Sequence, residues 1–509
     1  MALDEIREER LKKLNQLKEA GVDPYPATMQ NSDKRVSTKT ALSSEGKKVF
    51  VAGRIRSLRP HGKIAFSDLE DESGKIQLFF SMQELPTQFD LLSNLDIGDF
   101  LQAEGEVFTT QAGQLTVRVS SFQLLTKTLL PLPSAWHGFG DVEERYRQRY
   151  LDLIMNPDVK KVFDVRHKVI RLLRSFMEDK GFVEVETPTL QPIYGGATAK
   201  PFSTHHNALN IDLFLRISDE LYLKRLIAGG YEKIFEICKD FRNEGIDRQH
   251  NPEFTMMEFY WAYADYEDLM ILTEEMISSI VKEVHGNDEV EYEGKKMNFA
   301  TPFERKTFTA LVKEHSGIDL DEIETEEELL KVIKEKEIKI DLTGVIGFGP
   351  LCDELYKKVA RPKIVNPTFI TDYPYEMKPL SKRSKINPRK SASFQLLAVG
   401  YEIINAYNEL NDPDEQKERW IEQMELAKKG LDEHQVLDAD YLRALEYGMP
   451  PTAGWGMGVD RFVSLITDQH TIKEVILFPT MRPEHSDNSN KINSIEGDSE
   501  TSEGTKPAE

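Results

Sequence analysis

The chain has 509 residues, with 87 Asp and Glu against 65 Lys and Arg, a net charge of -22, and two cysteines, Cys238 and Cys352. That length suggests about two to four domains. With 39% hydrophobic residues and a mean hydropathy of -0.47, a membrane span is excluded, the cysteine count excludes a disulfide framework and a cysteine-built zinc site, and the charged start MALDEIREER excludes a signal peptide, which predicts a cytoplasmic protein.

Leu3, Ile6, Leu11, Leu14 and Leu17 recur at helical spacing before Gly21 and predict an amphipathic helix. The segments KKVFVAGRIRSLR, KIAFSDLED, KIQLFF, DFLQAEGEVF and QLTVRVSSFQLL alternate like strands between turn signals, predicting a small barrel or sandwich. Residues 34–63 carry a local charge of +8, with Arg54, Arg56 and Arg59 among the cations and Glu45 the only acid. The overall acidity argues against a polyanionic partner, whereas this segment argues for one. Proline-rich TLLPLPSAW marks a boundary near 135, between a first domain (1–135) and a second (136–483).

Val162 to Met177 keep a helical period up to Gly181, and FVEVETP alternates like a strand. KIFEICKDFR and EFTMMEFYWAY then bracket a polar loop; alternation puts Phe254, Met256, Glu258 and Tyr260 on one face, with Arg242 at the end of the facing strand. Residues 265–345 are acidic and helical and look like an insertion. Asn405, Tyr407 and Glu409 share a strand face, while strict alternation puts Glu402 on the other face unless a bulge intervenes. AGWGMGVDR leads three glycines to Arg461 at a helix start, where a nucleotide can approach the backbone and an arginine can meet phosphate; it fits neither the dinucleotide fingerprint nor the P-loop. The tail 484–509 has a disordered composition. His205 and His206 are expected to be structural, since adjacent strand residues point opposite ways and no nearby acid is evident, and Cys238 is expected to be a buried thiol.

FRNEGIDRQHNPEFTMMEFY, GWGMGVDR and the helix and strand ending at Pro188 resemble the three core motifs of the class II aminoacyl-tRNA synthetases. GGATAKPF, DELYLKRL, AYNELNDP and RYRQRYLDL resemble segments of the lysine-specific family, and the similarity runs from residue 1 to about 483. The resemblance implies an α+β protein: an N-terminal OB-fold barrel that binds the anticodon, and a catalytic antiparallel sheet flanked by helices that forms a homodimer. It implies activation of L-lysine by ATP with Mg²⁺ and transfer to lysine tRNA, without a covalent enzyme nucleophile.

By the same resemblance, Arg242 bridges carboxylate and α-phosphate, and Arg461 grips the far phosphates. Asn243, Glu244, His250, Asn251, Phe254, Glu402, Ile403, Gly458, Val459 and Asp460 complete the ATP site, with Phe254 stacked on adenine. Lysine is held by Gly196, Glu220, Glu258, Tyr260, Asn405, Tyr407 and Glu409. An ammonium is costly to desolvate unless carboxylates surround it, so this acidic set suits lysine and opposes an aspartate or asparagine enzyme. The intact barrel opposes a paralogue that lysylates protein. A non-catalytic RNA-binding or scaffold derivative finds support only in Gln395, which stands where the family has the second of two Mg²⁺-binding glutamates; the first is Glu402. A neutral amide binds Mg²⁺ less well than a carboxylate, predicting a raised Mg²⁺ requirement. In the barrel, Arg54, Phe66 and Gln77 match anticodon contacts, and Ser121 falls where the family has a glutamate, which predicts relaxed reading at one position.

Overall fold

The computed structural model describes residues 3–133, 140–428 and 436–483; the boundary near 135 and the tail 484–509 lie outside the described residues. The chain divides into two compact units, Met1–Gly140 and Asp141–Glu509.

In the first unit, β1 (Lys48–His61), β2 (Ile64–Asp71), β3 (Gly74–Ser81), β4 (Phe100–Thr109) and β5 (Leu115–Thr126) close into a barrel in the order β1-β2-β3-β5-β4. Alternation sends Ala65, Leu69, Ile76, Leu78 and Phe80 inward. The helix Leu3–Glu19 adds Leu17 to this core. The +8 of residues 34–63 is not a free field, because adjacent strands bring acids from other segments: Arg56 pairs with Glu70 at 2.8 Å, Arg59 with Asp68 at 2.9 Å and Arg35 with Asp71 at 3.5 Å. Lys48 pairs with Glu104. A count along the chain cannot register neighbours that only the sheet supplies.

In the second unit an eight-stranded sheet is built from β6 (Val183–Glu184), β7 (Lys233–Phe241), β8 (Glu253–Ala262), β9 (Glu304–Thr307), β10 (Thr368–Thr371), β11 (Ser393–Ala398), β12 (Tyr401–Asn408) and β13 (Thr452–Gly458). The order is β9-β10-β11-β12-β13-β8-β7-β6, antiparallel except for the pairs at the two edges. One face, with Phe259, Trp455 and Met457, packs under the helices Pro157–Asp179, Tyr266–His285 and Val459–Ile466. FVEVETP contributes only the two exposed residues of β6.

The expected insertion at 265–345 is not one block. Its first helix, Tyr266–His285, buries Leu269, Met276, Ile277 and Ile280 in the main core, and β9 forms the sheet edge. A separate core gathers the helices Phe308–Ser316, Glu326–Glu335 and Phe348–Val359. Acidity misled here because it reports the solvent face of an amphipathic helix, whereas the buried stripe decides what that helix packs on.

Candidate active site

The other face of the sheet is open at its centre. Gly454, Gly456 and Gly458 alternate along β13, so that three missing side chains leave a trough. Gly456 lies between Glu258 of β8 and Asn405 of β12, and Gly454 between Tyr260 and Tyr407. A Cβ on Gly454 would sit 1.9 Å from Glu409 Oε1 and 2.5 Å from the Tyr260 ring. Only glycine fits beside that carboxylate.

On β12 the register resolves the position of Glu402. Leu396 pairs with Ile404 but Leu397 pairs with Glu402, so Ile403 is an extra, bulged residue. Its side chain enters the core, and Glu402 returns to the face of Asn405. Gln395 is the direct partner of Asn405 on β11.

At one end of the trough the helix Glu220–Ala228 delivers Glu220, and Glu409 follows β12. Lys224 Nζ, fully buried, lies 2.5 Å from Glu220 Oε1 and also pairs with Glu409. Tyr407 donates its hydroxyl to Glu220 Oε1 at 2.7 Å. Ser218 Oγ donates to Glu258 Oε1 at 3.1 Å and accepts from the Glu220 amide at 3.1 Å, while the Tyr260 hydroxyl donates to Glu258 Oε2 at 3.0 Å. Gly196 turns with φ 84° against Ser218 and Glu220. Burial, then the charges of Glu220 and Asp240, push the Glu258 carboxyl up to about 8. Burial and Glu258 push its neighbour Asp219 well above the carboxylate range. This end is short of positive charge.

The other end has the opposite problem. Arg242 lies over the Phe254 ring at 5.0 Å, and Arg461 reaches His250 Nε2 at 3.2 Å. Burial lowers the pKa of Arg461; Glu402 opposes that shift, and Arg242 and Arg361 add to it. Two further guanidiniums close enough to disfavour the charge of Arg461, against the carboxylates Glu402 and Asp247, make this end suited to a polyanion.

The second unit matches the family model for class II tRNA synthetases (D, K and N) over residues 141–482, and the barrel matches the OB-fold nucleic acid binding domain over residues 49–125. The lysine–tRNA ligase of Pelotomaculum thermopropionicum is 46% identical over 483 residues, covering 94% of this chain and 96% of that protein. That of Roseiflexus castenholzii is 47% identical over 489 residues, covering 95% and 100%. That of Clostridium tetani is 46% identical over 491 residues, covering 95% and 97%.

The chain belongs to the lysine–tRNA ligases.

Seen as a lysine–tRNA ligase, its site holds most of the residues singled out in the sequence, but some side chains are committed elsewhere. Asp460 takes Arg166 on Oδ1 and the Thr255 amide on Oδ2 at 2.7 Å. Asn251 donates to Glu253 O at 2.6 Å and accepts from the Thr480 amide at 3.2 Å. Ile403 and Val459 point into the core. These four can meet a nucleotide only through backbone. Asn243 is exposed, and Glu244 Oε1 is buried without a hydrogen-bond partner.

In the barrel of this ligase, Phe66 meets Phe79 at 5.2 Å between ring centroids, Gln77 accepts from Thr116 Oγ1 at 3.0 Å, and Ser121 is exposed. Arg54 is spent on the Phe100 ring at 4.2 Å and on Gly98 O at 3.0 Å. His205 does have an acid, Asp212, at 2.8 Å across its hairpin, and His206 accepts from the Leu209 amide at 3.3 Å, so both histidines brace the turn. Cys238 is a buried free thiol. Sequence reasoning missed Lys224, Ser218, Arg361 and Lys378. Lys224 and Ser218 lie in a segment, SDELYLKRL, that reads as an ordinary helix start; nothing in the pattern marks its lysine as buried.

Proposed function

We propose that this ligase activates L-lysine with ATP to lysyl-adenylate and passes the lysyl group to the 3′ end of lysine tRNA. The observation that carries the reading is one trough with a carboxylate end, Glu220, Glu258 and Glu409, and an arginine end, Arg242, Arg361 and Arg461. A diamino acid and a triphosphate are the charges those two ends lack.

The side-chain ammonium of lysine would meet the oxygens that Lys224 leaves open, Glu409 Oε1 above all, which is buried without a hydrogen-bond partner. Lys224 and Tyr407 hold the two acids in place before substrate arrives. Glu258, with Gly196 backbone, would take the α-ammonium, whose charge favours ionisation of that carboxyl. Asn405 would orient the substrate carboxylate and Arg242 would bring it in line with the α-phosphate, lowering the repulsion between two anions. Phe254 offers adenine a stacking surface. An aspartate side chain would face Glu220 and Glu409 and be repelled.

Magnesium, when bound, would neutralise phosphate charge. Glu402, half-exposed on the trough face, fits as its ligand; Gln395 fits poorly, being a neutral amide whose carbonyl oxygen already accepts the Tyr373 hydroxyl at 2.6 Å. Exposed Val183, Leu190 and Ile211 near the first motif support a homodimer. The two reduced, buried cysteines support a cytoplasmic location, and no helix among the described residues is long and apolar enough to cross a membrane. Amino-acid-dependent exchange of pyrophosphate into ATP, over a panel of amino acids and followed by charging of lysine tRNA, tests the reading. Exchange with lysine, exchange with ornithine weaker by about 10- to 200-fold, and none with aspartate or asparagine is expected; no exchange with lysine overturns it.

A further inference from the structure

Gln395 leaves a charge missing beside Glu402, and a lysine from another segment, Lys378, comes to the residues around it. Lys378 Nζ donates to Asn405 Oδ1 at 2.6 Å, and Asn405 is the cross-strand partner of Gln395. The ammonium lies 4.8 Å from the centre of the Tyr373 ring, whose hydroxyl is the group bonded to Gln395. Burial lowers the Lys378 pKa below the usual lysine value, and the carboxylates of Glu402 and Asp353 oppose that shift.

Its backbone is fixed as well. The Lys378 carbonyl accepts from Ser381 Oγ at 2.9 Å and from Arg419 at 3.3 Å, and its amide donates to Tyr375 O at 3.0 Å.

We infer that Lys378 is a resident cation that takes the place of a second magnesium ion at the Gln395 end of the trough. The inference rests on the lysine-activation reading above. A carboxylate at 395 would pair with this ammonium and cancel it. An amide leaves the ammonium free for the anions that meet beside Asn405, the amino-acid carboxylate and the phosphates. A covalently tethered charge needs no ion from solution, so Gln395 does not raise the magnesium requirement here; it removes one ion from it.

The test counts metal. Mn²⁺ bound per active site is measured by electron paramagnetic resonance, with lysine and a non-hydrolysable ATP analogue present, in the unaltered protein, in Gln395→Glu and in Gln395→Glu/Lys378→Ser. The double variant is expected to bind one ion more than the unaltered protein, while Gln395→Glu alone binds no more, because Lys378 neutralises the new acid. Lys378→Ser alone should slow exchange about 100-fold, as loss of a preorganised charge does, and added Mg²⁺ should recover part of it. Equal metal counts in the unaltered protein and the double variant overturn the inference, as does an ion gained by Gln395→Glu alone, an arm that does not depend on the Lys378 variants folding. If the unaltered protein exchanges nothing with lysine, the functional reading itself has failed; if it exchanges and the counts are equal, only the inference has.

Discussion

At the scale of single residues, the pocket is organised by a lysine of the protein's own. Lys224 uses one oxygen of each acid, and under the proposed reading a substrate ammonium would bring two ammoniums between two carboxylates and close the charge. Removing one member of a buried ionic set costs about 3 to 5 kcal/mol. Lys224→Met is therefore expected to raise the KM for lysine by about 100-fold or more and to lower kcat less, because the variant disturbs ground-state binding more than the reacting atoms. Steady-state exchange kinetics, with circular dichroism to check the fold, measure this; an unchanged KM would show that Lys224 only fills space. The acids proposed to face substrate, Glu220, Glu258 and Glu409, are singled out in the sequence because their segments match a family. Lys224, Lys378 and Arg361 are not, because each comes to the trough through burial or through a neighbour on another element, and neither is written in local pattern.

At the scale of elements, alternation served well where strands are regular and failed where they are not. It placed Glu258 and Tyr260 together and identified the conflict at Glu402, which the bulge at Ile403 resolves. It overestimated β6, and acidity mislabelled the core helix Tyr266–His285. In the barrel, the face formed by β2 and β3 carries Phe66, Phe79 and Gln77, and of the arginines counted toward a basic patch Arg35, Arg56 and Arg59 are paired with acids while Arg54 is held by the Phe100 ring and the Gly98 carbonyl. Exposed ion pairs contribute about 0 to 1 kcal/mol, whereas a base stacked on an aromatic ring contributes about 1 to 3 kcal/mol. Phe66→Ala should thus raise the KM for lysine tRNA about 10-fold or more, whereas Arg59→Gln should change it by no more than about fivefold, with tRNA-free exchange the same in both. Aminoacylation assays decide; a larger loss from Arg59→Gln would restore the importance of the basic segment.

At the scale of the whole molecule, each unit has its own hydrophobic core, with Leu78, Phe80 and Leu101 in one and Phe259, Trp455 and Met457 in the other. A chain of residues 141–483 is expected to fold, to retain lysine-dependent exchange, and to lose about 100-fold or more in charging of tRNA, the equivalent of one or two stacked bases. Comparing exchange with charging on that fragment checks it; loss of exchange would show that the units depend on each other. The pairing of Arg56 with Glu70 and Arg59 with Asp68 also bears on turnover. A protein of net charge -22 whose barrel pairs Arg35, Lys48, Arg56 and Arg59 with acids on neighbouring strands has a reduced general attraction for phosphate backbones. It would sample cellular RNA briefly, hold only a loop whose bases fit its aromatic face, and release each charged product without first having to break a broad cationic grip.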